Sequence, residues 1–147
     1  RGPKTFAEAN VGGFMKEVPK LSDFPVGKPN DAYAKYFIAQ SWLAPLKRNK
    51  FRLITLLLNR DADIHHAQKG GGQMLICVYG RGWVQLEGEP AHELKVGEVF
   101  NIPPNVKHWH GAAKDSWFQH LSLEVPGEGT SNEWLEPVTD EVYDKLP

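Results

Sequence analysis

The sequence predicts an all-β protein, a sandwich or barrel built as one domain. Between Phe51 and Val125, short runs of Val, Ile, Leu and aromatic residues are broken by Gly, Pro and Asn. The breaks recur about every 8 to 12 residues, the spacing of strands and turns in such folds. A length of 147 residues fits one ordinary domain and leaves little room for a second. Five histidines (His65, His66, His108, His110 and His120) fall at strand ends within this region, out of 6 in the chain.

Residues 1–30, rich in Gly, Pro and Lys, read as an arm that wraps the domain or exchanges with another copy. From Asp31 to Leu46 aromatics and alanines mix (Tyr33, Tyr36, Phe37, Trp42), a pattern that can start as a short helix. The barrel core occupies 51–125, with strands expected at 51–58, 73–79, 82–87, 91–94, 98–102, 107–112 and 117–125. Turn chemistry fits between them at Gly80–Gly82, Glu87–Pro90, Lys95–Glu98 and Pro103–Asn105. Residues 131–147 read as a helical tail. Thr139 can cap a helix whose first turn carries Asp140 and Glu141, where the helix dipole favours acids.

Hydrophobic residues make up 41% and charged residues 24%, enough apolar material for a core. With 17 Lys and Arg against 18 Asp and Glu, the net charge of −1 gives no electrostatic footprint for nucleic acid or an anionic membrane. The longest apolar run, Leu53–Leu58, is far short of a membrane span. No signal-peptide pattern is visible, although a chain that starts without Met leaves room for a removed leader or tag. The single cysteine, Cys77, rules out an internal disulfide and permits a reducing compartment, so the expected location is the cytoplasm.

Strand alternation organises the histidines. Residues two apart share a face, so Asp63 groups with His65, and His108 with His110, while His66 and Trp109 fall on the other faces. His120 lies in a strand whose other face is apolar (Leu121, Leu123). Imidazoles from separate strands facing one interior make a site for a first-row divalent metal ion. His92, in a polar stretch, reads as solvated. Cys77, within Met74-Leu75-Ile76-Cys77-Val78, reads as a small buried hydrophobe. Trp83, Trp109, Trp117 and Phe118 read as core.

The stretch Gly97-Glu98-Val99-Phe100-Asn101-Ile102-Pro103-Pro104-Asn105-Val106-Lys107-His108-Trp109-His110-Gly111 resembles the second cupin motif. Ile64-His65-His66, then Gly70-Gly71-Gly72-Gln73 and Gly80-Arg81-Gly82, resemble the first. Ala34-Lys35-Tyr36-Phe37 and Ser131-Asn132-Glu133-Trp134-Leu135-Glu136-Pro137 extend the likeness to most of the chain from Asp31. The group resembled is that of small single-domain cupins labelled carboxymuconolactone decarboxylase-like, relatives of metal-dependent cupin hydroxynitrile lyases. The resemblance implies a cupin double-stranded β-helix, or jelly-roll barrel, with short N- and C-terminal helical segments.

It also implies a ligand set of Asp63, His65, Gln73 and His108. His65 matches the second His of a His-x-His pair, and Gln73 a Gln found where other cupins place Glu. Asp63 departs from the family, standing where the first His belongs, but aspartate is a competent ligand for a hard divalent ion. Asp63, His65 and His108 would make a two-His-one-carboxylate face suited to Mn or Fe, with Ni or Zn as alternatives. A shifted register with His66 in the place of Asp63 is the alternative set; otherwise His66 is a rim residue. His110 matches a substrate-orienting pocket residue. His120 matches a His near substrate in the lyase relatives, either a general base or a core histidine bonded to Gln73 or a backbone carbonyl.

The implied activity is metal-dependent lyase chemistry on a small hydroxy or carbonyl compound, with C–C scission beside a metal-bound oxygen. The rivals are an Fe(II)-dependent dioxygenase-type cupin and a non-catalytic small-molecule-binding cupin. The expected partners are a small-molecule substrate and a second copy, as a homodimer or larger, because open sheet edges and a free arm invite exchange.

Overall fold

The computed structural model describes residues 20–37, 40–48, 52–58 and 64–147, with Arg48, Ile64 and His65 as backbone alone. Among the described residues the strands are β1 (Lys28–Pro29), β2 (Ser41–Arg48), β3 (Arg52–Leu58), β4 (Ile64–Lys69), β5 (Gln73–Leu86), β6 (His92–Lys95), β7 (Val99–Ile102), β8 (His108–Ala112), β9 (Phe118–Glu124) and β10 (Ser131–Pro137). A 3-10 turn spans Asp31–Tyr36 and a short helix, α1, spans Asp140–Asp144. The strands form one antiparallel sheet in the order β1-β2-β3-β9-β5-β8-β4-β10, with β6 and β7 flanking β5. The sheet curls on itself as a jelly-roll half-barrel, the all-β architecture expected. No helix of the described residues is long and apolar enough to cross a membrane.

Strand β5 is the element that turns this sheet into a barrel. It is 14 residues long and belongs to both leaves. Its first half pairs with β9 and β7, and its second half with β8 and β6. Two strands with a turn at Gly80–Gly82 were expected here, but the chain bends through without reversing. The ladder shifts register between Cys77 and Tyr79, and Gly80 takes φ +74. A Cβ at Gly80 would meet the Trp117 carbonyl oxygen at 1.7 Å. Glycine here therefore supplies a bend and a close approach, not a hairpin turn.

Other differences from the sequence reading have similarly local reasons. Residues 41–48 form β2 rather than continuing a helix, because the 3-10 turn ends at Tyr36 and the extended Phe37 leads away from it. Residues 131–137 form β10, paired with β4, so the helical part of the tail is confined to α1. Strand alternation was read at residues 63–66 but no strand was bounded there, because Ile64-His65-His66-Ala67-Gln68-Lys69 lack an apolar alternation; the structure makes them β4. Residues 28–29 of the arm pair with β2 as β1.

Among the described residues, two apolar clusters hold the fold. Leu56, Leu58, Leu75, Val84, Leu94, Ile102 and Phe118 fill one end of the barrel with Cys77. Each fully buried large side chain there contributes about 1.5–3 kcal/mol over leaving it exposed. On the outer face of β5 and β8, Trp83, Trp109 and Ala113 pack beneath Val138 and Tyr143. Thr139 caps α1 by accepting from the Val142 N–H at 3.3 Å, and the Tyr143 hydroxyl donates to the Ala112 carbonyl at 2.5 Å. The tail thus covers the Trp109 face of β8, which leaves the His108 and His110 face for the interior.

Candidate metal centre

Strands β4 and β8 bring three imidazoles together. His66 and His108 are direct partners across the ladder, with ring centroids 4.1 Å apart. His110, two residues on in β8, shares the face of His108, and its ring lies 5.3 Å from that of His66. One ligand atom from each of the three lies within 4.8 Å of the other two, and all three residues are buried.

The protein also sets the proton state of these rings. The Val106 carbonyl lies 2.9 Å from His108 Nδ1. A carbonyl can only accept, so it holds the proton on Nδ1 and makes Nε2 the basic nitrogen of the ring. His110 is held well below the usual imidazole range, first by burial and then by the nearby His120, His66 and His108. Neutral imidazoles are the form that binds metal.

The cluster opens onto a cleft of about 600 Å³, open solvent included, between the two leaves. Gln73 lines the same cleft. Its Nε2 donates to the Ser122 hydroxyl, which fixes the amide, while its buried Oε1 has no hydrogen-bond partner among the described residues. A buried carbonyl oxygen left in this way is a fit donor for a divalent cation. Trp134 covers the cluster, stacked on Tyr36 at 4.2 Å and 5.0 Å from the His66 ring.

His120 stands one ring deeper. It is fully buried, edge-on to His110 at 5.0 Å, and does not line the cleft. Its Nδ1 contacts the Leu121 carbonyl at 3.2 Å, and its Nε2 has no hydrogen-bond partner among the described residues. Burial pushes its pKa down to about 4 against the weaker upward pull of that carbonyl. Asp63 lies outside the described residues, as does the side chain of His65. Of the six residues singled out from sequence, the structure places Gln73 and His110 on the cleft wall, with His108 and His120 buried beside His110. It also brings in His66, a rim residue by alternation and a ligand only in the alternative register, because β4 places it opposite His108. Arg52 and Gln68, also cleft-lining, carried no motif. His92 is exposed and Cys77 buried, as expected.

A curled antiparallel barrel with inward-facing imidazoles and a buried amide oxygen defines a class of small, metal-competent β-barrels. Over 84% of this chain and 95% of the other, the protein is 32% identical to a cupin-like protein of known structure from Thermotoga maritima, with a TM-score of 0.77. The chain belongs to the cupin family. Over 72 residues it is 43% identical to (R)-mandelonitrile lyase from Granulicella tundricola, 49% of this chain and 55% of that protein. The match thus spans about half the length of that curated relative. A DMSP lyase from Ruegeria pomeroyi shares the fold at 14% identity and a TM-score of 0.57, over 81% of this chain and 59% of that one. No family model matches the chain.

Proposed function

We propose that the protein is a metal-dependent lyase of the carboxymuconolactone decarboxylase-like cupin group, cleaving a C–C bond beside the hydroxyl of a small carbinol. The observation that carries this reading is the His66–His108–His110 cluster facing a cleft with the partnerless Gln73 Oε1. These four residues would hold a divalent ion, Mn or Fe by preference. When bound, the ion supplies Lewis acidity to a substrate hydroxyl. The described donors are all neutral, so they leave that acidity undiminished. The partial likeness to a mandelonitrile lyase makes a cyanohydrin the first substrate to try.

In this reading the protein's own groups bind, shield and move a proton. Trp134 and Tyr36 cover the cluster and limit water. His120 takes the hydroxyl proton on Nε2, the nitrogen left basic by the Leu121 carbonyl. The carbinol carbon–oxygen bond then becomes a carbonyl as the C–CN bond breaks. Cyanide leaves with the electron pair and receives the proton back, giving an aldehyde and hydrogen cyanide. Because His120 stands behind His110 and not on the cleft wall, the substrate hydroxyl has to reach past the His110 ring to meet it.

The test is release of aldehyde and cyanide from mandelonitrile by protein reconstituted separately with Mn(II), Fe(II), Ni(II) and Zn(II). We expect metal-dependent turnover, lost in His108→Ala and cut at least a hundredfold in His120→Ala. No turnover with any of the four ions overturns the lyase reading for cyanohydrins. Full activity in His120→Ala removes that residue from the chemistry.

A further inference from the structure

Beyond the metal cluster, the same cleft contains a second polar group without a task. Gln68 is two residues after His66 in β4, so the two side chains share a face. They are 6% and 4% exposed, and both line the cleft. Gln68 Oε1 is buried and has no hydrogen-bond partner among the described residues. Buried amides are nearly always satisfied, so this one points to a ligand group.

We propose that Gln68 is a specificity residue that binds a second hydroxyl on the substrate, making the preferred substrate an aryl carbinol with a hydroxyl on its ring. The proposal rests on the carbinol-binding reading above and names its substrate class. Three features define that class. The first is reach: two residues of extended strand span about 6–7 Å, the separation of the carbinol oxygen and a para hydroxyl across one benzene ring. The second is the cleft wall, to which Tyr33, Phe37 and Trp134 contribute, and which suits a flat apolar ring. The third is what lies beyond. Gln68 also borders an adjoining polar hollow lined by Lys69, Thr130, Ser131 and Asn132, so the far end of the substrate meets polar groups. A hydroxyl both donates and accepts, so it satisfies the amide in either orientation.

Two inert alcohols test this without turnover: 4-hydroxybenzyl alcohol and its parent, benzyl alcohol. Each is titrated by NMR into the full chain, following the indole N–H of the cleft-lining Trp134, which every variant keeps. The wild-type protein should bind the phenolic probe about threefold to tenfold more tightly, the worth of one net hydrogen bond. Gln68→Leu should abolish the preference and leave benzyl alcohol binding unweakened. Gln68→Met, which keeps the length of the side chain, should do the same if Leu disturbs β4. Equal affinities in the wild type, a preference that survives both substitutions, or no binding of either probe overturns the proposal. Neither probe can be cleaved, so a failed cyanohydrin assay and a failed binding preference are separate results.

Discussion

His66 and His108 face each other across the β4–β8 ladder with their rings 4.1 Å apart, and that pairing decides which residues can share a metal ion. It joins a strand with no apolar pattern to one with a recognisable motif.

Metal content should follow this pairing. His66→Ala and His108→Ala should each lower the affinity for Mn(II) by more than tenfold, since loss of mere supporting contacts around a metal already costs about 10–100-fold. His65→Ala should keep its metal. Elemental analysis of the three variants beside wild type checks the ligand set, and loss of metal in His65→Ala would favour the resemblance's set over the geometric one.

Acid should destabilise the metal-free protein through the buried imidazoles. His120 titrates near 4 in the fold and near 6.5 when free. Between those values the unfolded chain binds more protons than the native one, so stability rises with pH and falls on acidification. His110, also held low, acts in the same direction. Urea melts from pH 7 to pH 4.5 should show the loss, and His120→Leu should flatten it.

The Cys77 thiol should be inert while the protein is folded. Burial pushes it up to about 11 from 9.0, and only the thiolate is nucleophilic. A thiol reagent at pH 8 should label it only after denaturant is added. Stability should also fall between about pH 9 and pH 11, as the unfolded thiol ionises and the folded one does not.

Removing one oxygen should loosen the tail. Tyr143→Phe deletes the hydroxyl that donates to the Ala112 carbonyl, at a cost of about 1–2 kcal/mol. Chemical denaturation measures it, and an unchanged midpoint would mean that packing of Trp109 against Val138 and Tyr143 carries the tail alone.

The parts of this molecule that were legible in its sequence are those fixed by neighbours in the chain. Alternation placed His108 and His110 on one face and Trp109 on the other, and turn residues bounded β6, β7 and β8. Gln73 and His120 were singled out through motif likeness, not through alternation. What depends on distant pairing was not legible. His66 enters the site only because β4 meets β8 in one register, and a slip of one residue exchanges the two faces of a strand. Gln68 carried no motif, and its unsatisfied amide is a property of enclosure. Gly80 reads as a turn in isolation; its bend within β5 depends on contact with Trp117.

Because β5 is shared by both leaves, the two walls of the cleft are joined by continuous backbone. Gln73 is its first residue, and Val84 and Leu86 pair with His110 and His108. A single ribbon therefore runs from the amide donor to the imidazoles. Freeing that ribbon would break its ladders with four neighbours, so the barrel should exchange its core amide hydrogens as one cooperative unit.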